Sequence, residues 1–89
     1  MQKYLAEFLG TLIFAYVLLV TSGNAIAIGA TLAILMMILG PISGGLLNPA
    51  FVFVKAFTGD LPIKEVIPYC FAQLLGALTA VQIFQYISI

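Results

Sequence analysis

Ser43-Gly44-Gly45-Leu46-Leu47-Asn48-Pro49-Ala50 interrupts a chain of 89 residues that is otherwise almost wholly apolar. Glycine, asparagine and proline are poor residues for a helix interior. Apolar blocks flank them on both sides. In hydrocarbon every backbone N–H and C=O needs a partner, so irregular backbone at membrane depth is tolerated only against protein or a water-filled cavity. The break therefore reads as part of a channel or a transporter.

A short helix comes directly after the break. Asn48 is a good N-cap, and Pro49 falls at the first helical position, where a missing N–H costs nothing. Ala50 to Thr58 continues as helix, and Gly59 is a suitable residue just past its end. Ten residues rise roughly 15 Å, about half of a ~30 Å hydrocarbon core. The segment 48–58 is thus a half-helix that starts near the midplane and ends at a surface. Lys55 near its C-terminal end suits the helix dipole and reaches back to water.

Three further stretches are long enough to cross a bilayer: 4–22, 25–42 and 66–89. The first follows Lys3 and resembles a signal peptide in outline. Its apolar run is too long for a signal h-region and carries Glu7 near its start, so it reads as a retained span. Met1 and a span ending at Ile89 read as a complete chain. The fold class is an all-α membrane protein, with three transmembrane helices and one re-entrant half-helix.

Composition narrows function. The chain is 64% hydrophobic and 7% charged, far from a soluble domain. It has no Arg, His or Trp. A basic nucleic-acid footprint, a Cys/His metal site and Ser-His-Asp chemistry all lack their parts. The reading is no enzyme, no metal, no cofactor and no nucleic-acid partner. Cys70 is single and lies in an apolar run, where a small hydrophobe is the simplest role.

The half-helix N-terminus carries about half a positive charge and unsatisfied N–H groups. If the Asn48 side-chain oxygen caps them, its NH2 group points outward as a donor. The segment Ile42 to Leu47 reads as an extended loop, and the glycines of Ser43-Gly44-Gly45 let backbone carbonyls face a lumen. Such rows of donors and acceptors suit neutral hydrogen-bonding solutes, while the positive end opposes cations. Glu7 is an intramembrane acid, functional by default, and a proton-coupled substrate site is one reading of it. Gln73 suits an interhelical hydrogen bond. Gly10, Gly29 and Gly76 suit close helix approach. Tyr4, Tyr69 and Tyr86 suit the membrane interface.

These residues resemble one half of an aquaporin, the major intrinsic protein family, over nearly the whole chain. Ala6-Glu7-Phe8-Leu9-Gly10-Thr11 is similar to the family's first-helix motif, and Ala72-Gln73-Leu74-Leu75-Gly76-Ala77 to its third-helix motif. Ser43 to Ala50 is similar to its signature loop, with Asn48-Pro49-Ala50 as the pore-lining motif. The resemblance implies a single half repeat over 1–89. It makes Glu7 a buried acceptor that holds the loop backbone. It also implies a partner, because family members pair two inverted halves whose half-helices meet at the midplane. That partner is a second copy in antiparallel orientation or a separately encoded half. A ring of four pores follows by analogy.

Selectivity positions are also implied. One comes from the second helix of each half, and counting back from the motif they fall on Ile28 and Met36. A third directly follows the motif and is usually Arg in the second half. Here it is Phe51. The implied function is a passive channel for water and small neutral solutes such as glycerol. The alternatives are a proton-coupled transporter using Glu7 and a non-conducting membrane subunit. Lys3, Lys55 and Lys64 fall on one side of this layout and favour a cytoplasmic N-terminus. With three lysines and no Arg the bias is weak, as insertion in both orientations requires.

Overall fold

Helix length here is set by the membrane and helix ends by local capping. The structure, a computed structural model, describes residues 1–87, so the last two residues of the expected third span, 88 and 89, lie outside the described residues. Helix α1 (Gln2–Val20) has 19 residues and rises roughly 28 Å, enough to cross a hydrocarbon core. It stops where Ser22 and Gly23 turn left-handed, at φ 55° and 80°. Asn24 then caps the next helix, its Oδ1 accepting from the Ala27 N–H at 2.9 Å. Helix α2 (Ala25–Ser43) returns across the membrane.

The irregular segment starts later than the sequence suggests. The residue pattern puts Ile42 and Ser43 in an extended loop, but α2 runs through Pro41 and includes both. Pro41 sits in the last turn, and Gly44 closes the helix in the left-handed region, its N–H donating to the Gly40 carbonyl at 3.0 Å. That αL cap satisfies one of the orphan carbonyls at the helix end.

Helix α3 (Pro49–Phe57) is the half-helix, with Asn48 as N-cap. It ends in a Schellman motif. The Asp60 N–H donates to the Lys55 carbonyl at 2.9 Å and the Gly59 N–H to the Ala56 carbonyl at 3.3 Å, with Gly59 at φ 86°. A 3-10 turn (Ile63–Glu65) leads into α4 (Val66–Ile87).

Helices α1 and α4 run side by side in the same direction. Tyr4 meets Tyr69 edge-on at one end, and Tyr16 meets Phe84 at the other. Their crossing is tight at Gly76, where an added Cβ would run into the Phe8 carbonyl oxygen. Helix α2 packs chiefly on α1, and α3 chiefly on α4. The half-helix therefore descends beside the first turns of α4. Its buried side chains, Val52 and Ala56, join Leu46, Val66 and Tyr69 in a small core.

Most large apolar side chains lie outside that core. Met37, Ile67 and Phe57 are each at least three-quarters exposed. A soluble domain would bury them, whereas in lipid they are solvated. Three helices among the described residues are long and apolar enough to span. The longest dimension is 43 Å, the thickness of a bilayer with its headgroups, ~40–45 Å. This is an all-α, multi-pass integral membrane protein.

Candidate functional site: the pinned loop and the half-helix tip

The buried surfaces of α1 and α4 carry matching polar stripes. On α1, Glu7 and Thr11 are one turn apart and both buried. On α4, Tyr69 and Gln73 have the same spacing and are also buried. Residues at i and i+4 share a helix face, so the two stripes meet between the helices, and the loop after α2 passes beside them.

Glu7 is completely buried and accepts four hydrogen bonds. Oε2 takes the Ser43 hydroxyl at 2.6 Å and the Leu46 N–H at 3.1 Å. Oε1 takes the Leu47 N–H at 2.8 Å and Gln73 Nε2 at 2.8 Å. No lysine pairs with it among the described residues. Its oxygens are met by neutral hydrogen-bond donors alone, and leaving one such buried group unpaired costs about 1–3 kcal/mol.

The loop is shaped to present those donors. Gly44, Gly45 and Leu47 all have positive φ, at 88°, 59° and 58°. Leu47 is a branched residue in a region that disfavours side chains. Its N–H bond to Glu7 and its own burial hold it there, with Thr11 Oγ1 donating to its carbonyl at 3.5 Å. Gly45 lies against α2, where an added Cβ would sit 3.0 Å from the Met36 Cα. Tyr69 donates its hydroxyl to the Ser43 carbonyl at 2.8 Å.

That bond corrects two expectations. Tyr69 is a core residue that ties down the end of α2, not an interface anchor. The Ser43 carbonyl points inward to it, not to a lumen. The carbonyls of Gly44, Gly45 and Leu46 accept no hydrogen bond among the described residues. Gln73 shows a related cost. A carboxylate accepts only, so the amide must turn its NH2 to Glu7, which leaves Gln73 Oε1 buried and unpaired among the described residues.

The loop delivers Asn48 to the head of α3. Asn48 Oδ1 accepts the Ala50 N–H at 2.8 Å, and the residue is exposed. An amide whose oxygen caps the helix turns its NH2 away from it. That group donates to no residue among those described. Pro49 follows at the first helical position. The tip thus combines the positive helix end, a free amide donor and three free carbonyls just upstream.

The remaining sites disperse. Ile28 is half-buried in the first turn of α2, and Met36 is 41% exposed beside the loop. Eight residues separate them on one helix, roughly 12 Å, so a single chain does not bring them to one constriction. Phe51 is exposed on the first turn of α3. Gly10 faces Leu39 and Leu47, while Gly29 is exposed with open space around it. Tyr4 donates to Glu65, which also pairs with Lys3 at 3.1 Å. Sequence reasoning misses the contacts of Thr11 and Tyr69 and the Tyr4–Glu65 pair. For the first two, the i, i+4 spacing of Glu7 with Thr11 and of Tyr69 with Gln73 is the signal that points to them.

Residues 1–89 match the family described as Major intrinsic protein. An Aquaporin Z from Rhodopseudomonas palustris is 35% identical over 101 aligned residues, covering 98% of this chain and 42% of that protein. A Glycerol uptake facilitator protein-like 6 from Lactiplantibacillus plantarum is 33% identical, covering 90% of this chain and 41% of that protein. The Lens fiber major intrinsic protein of Gallus gallus is 36% identical over 86% of this chain and 34% of its own length. The chain therefore spans well under half the length of these relatives. No solved structure matches it significantly. A family match along the whole chain, together with these relatives, establishes that the chain belongs to the major intrinsic protein family.

Proposed function

We propose that this chain forms half of a passive transmembrane channel for water and small neutral solutes such as glycerol, completed by a second, inverted half. The observation that carries the reading is the half-helix tip. Asn48 caps α3 with its oxygen and keeps its amide donor free, two residues after a run of carbonyls, Gly44 to Leu46, that are unpaired among the described residues. A water or hydroxyl passing there meets donors and acceptors in sequence, and the charges nearest the Gly44 and Leu46 backbone, Lys55 and Asp60, pair with each other at 3.8 Å. The names of the relatives, which include aquaporins and a glycerol uptake facilitator, support the same solute class.

The second half is a second copy in opposite orientation. A half-helix alone crosses half the bilayer and leaves its head against lipid, which the cost of unpaired polar groups opposes. Two inverted copies bring two heads together at the midplane and supply six spans around them. In that assembly Ile28 of one copy and Met36 of the other narrow one pore, with Phe51 beside the tip where a cation is usual. A ring of such pores in the bilayer follows by analogy with the family. Proton coupling through Glu7 has less support, because that acid is fully buried and each oxygen already accepts two bonds.

Osmotic-jump shrinkage of vesicles that hold the purified chain tests this. Faster shrinkage than protein-free vesicles, with no requirement for a pH gradient, is the expected result. Flux that demands a proton gradient favours the transporter, and shrinkage at the protein-free rate leaves a non-conducting subunit.

A further inference from the structure

A groove of about 490 Å3 runs along the outer seam of α1 and α4. Its walls are apolar: Leu5 and Phe8 from α1, and Pro68, Phe71, Ala72 and Leu75 from α4. Met1, Gln2 and Tyr4 complete its lining at the end of the molecule where both helices begin. From Pro68 to Leu75 it descends roughly 10 Å into the membrane. It lies away from the loop and from Asn48, on the opposite side of the α1–α4 seam from the buried stripe that holds Glu7 and Gln73.

The rim carries an excess of positive charge. Lys3 adjoins Tyr4 in sequence, its Nζ lies 5.3 Å from that ring, and it pairs with Glu65. Glu65 also accepts from Tyr4, so this single acid is shared by two donors. Lys64, next to Glu65, is exposed and pairs with no acid among the described residues. Lys3 and Glu65 thus contact Tyr4, a groove residue, and Lys64 is next to Glu65 in sequence, so two lysines and one glutamate cluster just beyond the groove's lining. A protein helix seated there would have to cover an unpaired ammonium. An anionic lipid brings the complementary charge and an acyl chain for the slot below it.

We infer that the α1–α4 groove is a binding site for an anionic phospholipid, with one acyl chain between Phe8 and Phe71 and the headgroup at Lys64 and Lys3. The site serves whichever leaflet faces the N-terminal end of α1, and it does not depend on whether the chain conducts. A basic residue at the membrane surface favours an anionic headgroup by about fivefold.

The chain has no Trp, which provides a clean test. Phe71→Trp places one indole in the groove, and Leu74→Trp places one on an exposed position of the same helix outside it. The full chain is reconstituted in phosphatidylcholine vesicles containing an equal mole fraction of either brominated phosphatidylglycerol or brominated phosphatidylcholine. The expected result is stronger quenching of the groove indole by the brominated phosphatidylglycerol, with a relative affinity of about fivefold. Lys64→Gln in the same background should remove most of that preference, and the Leu74→Trp indole should respond to both lipids alike. Equal quenching by both lipids at position 71 overturns the proposal, since the face is then ordinary lipid contact. Weak quenching by both overturns it too, since protein then covers the groove. If Phe71→Trp fails to insert, Phe8→Trp reads the same slot from the facing helix.

Discussion

Glu7 is completely buried and pairs with no lysine among the described residues, yet it makes more hydrogen bonds than any other buried side chain there. Two of its four partners are backbone N–H groups of the loop, and a third is the Ser43 hydroxyl at the end of α2. Its acceptor-only chemistry is what the loop needs, because a turn with several left-handed residues directs N–H groups inward that no helix or strand satisfies. Glu7→Gln turns an NH2 toward those donors. One buried donor is then left without a partner, at a cost of about 1–3 kcal/mol. The thermal unfolding midpoint in detergent micelles should fall clearly below that of the parent; an unchanged midpoint contradicts the anchoring role. Gln73→Leu should behave differently. It removes one donor from Glu7 but also removes the unpaired Gln73 oxygen, and these effects are of similar size, so the net change should stay within about 1 kcal/mol. A loss as large as that of Glu7→Gln would show that the orphan oxygen has a partner in the membrane.

At the same scale, Asn48→Asp keeps a capping oxygen and replaces the free amide donor by a carboxylate. It should leave folding intact and raise cation leak through reconstituted vesicles, because a negative group offsets the positive half-helix end. An ion leak equal to the parent's argues against Asn48 at the conduction path.

Element by element, the structure depends on places where backbones nearly touch. At Gly76 the α4 helix lies against the Phe8 carbonyl and the Leu12 N–H of α1, so any Cβ forces the helices apart. Apolar burial gives little drive between helices in lipid, and packing and hydrogen bonds carry the association. Gly76→Val should therefore destabilise by about 1–3 kcal/mol, the usual cost of overpacking, visible as a lowered unfolding midpoint. Gly29→Val meets open space within this chain and should leave that midpoint near the parent's. Equal effects at the two positions would contradict the α1–α4 crossing.

Much of this level is readable from the residues. Asn48, Pro49 and Gly59 each act through local backbone chemistry, so the half-helix can be bounded without any tertiary information. The three long helices follow from apolar length. The start of the loop is harder to read because Pro41 and Ser43 look like punctuation. The Gly44 cap and the Tyr69 bond to the Ser43 carbonyl, a contact 26 positions away, hold that last turn helical. Tyr69 misleads for the same reason: a tyrosine near a helix end looks like an interface residue until its partner is known. Ile28, Met36 and Phe51 are the least legible. Their proposed roles depend on surfaces that one chain does not bring together.

For the molecule as a whole, the open question in the sequence becomes an open surface in the structure. Helix α2 is backed chiefly by α1, and the head of α3 is exposed. Both are accounted for if a second, inverted half packs against them. Lys3 and Lys64 lie at the same end of the molecule, near the Tyr4–Glu65 contact, and Lys55 lies in the last turn of the half-helix. Pairing of identical chains then requires insertion in both orientations against this mild positive-inside bias. Labelling of purified vesicles with a membrane-impermeant amine reagent should find that end exposed outside on part of the population and protected on the rest. A single orientation would assign the second half to a different polypeptide segment.

If the chain works as half of a pore, the head of the half-helix sits in water at the middle of the membrane. Cysteine accessibility tests this most directly. In a Cys70→Ala background, Asn48→Cys is placed at the tip and Met37→Cys on an exposed apolar face of α2. Vesicles are then treated from outside with a small, charged, membrane-impermeant thiol reagent. The thiol at position 48 should react, and its modification should slow osmotic shrinkage, while the thiol at position 37 stays unmodified. A thiol at position 48 as inert as that at 37, in vesicles where the chain is inserted, would contradict a water-filled path at the tip.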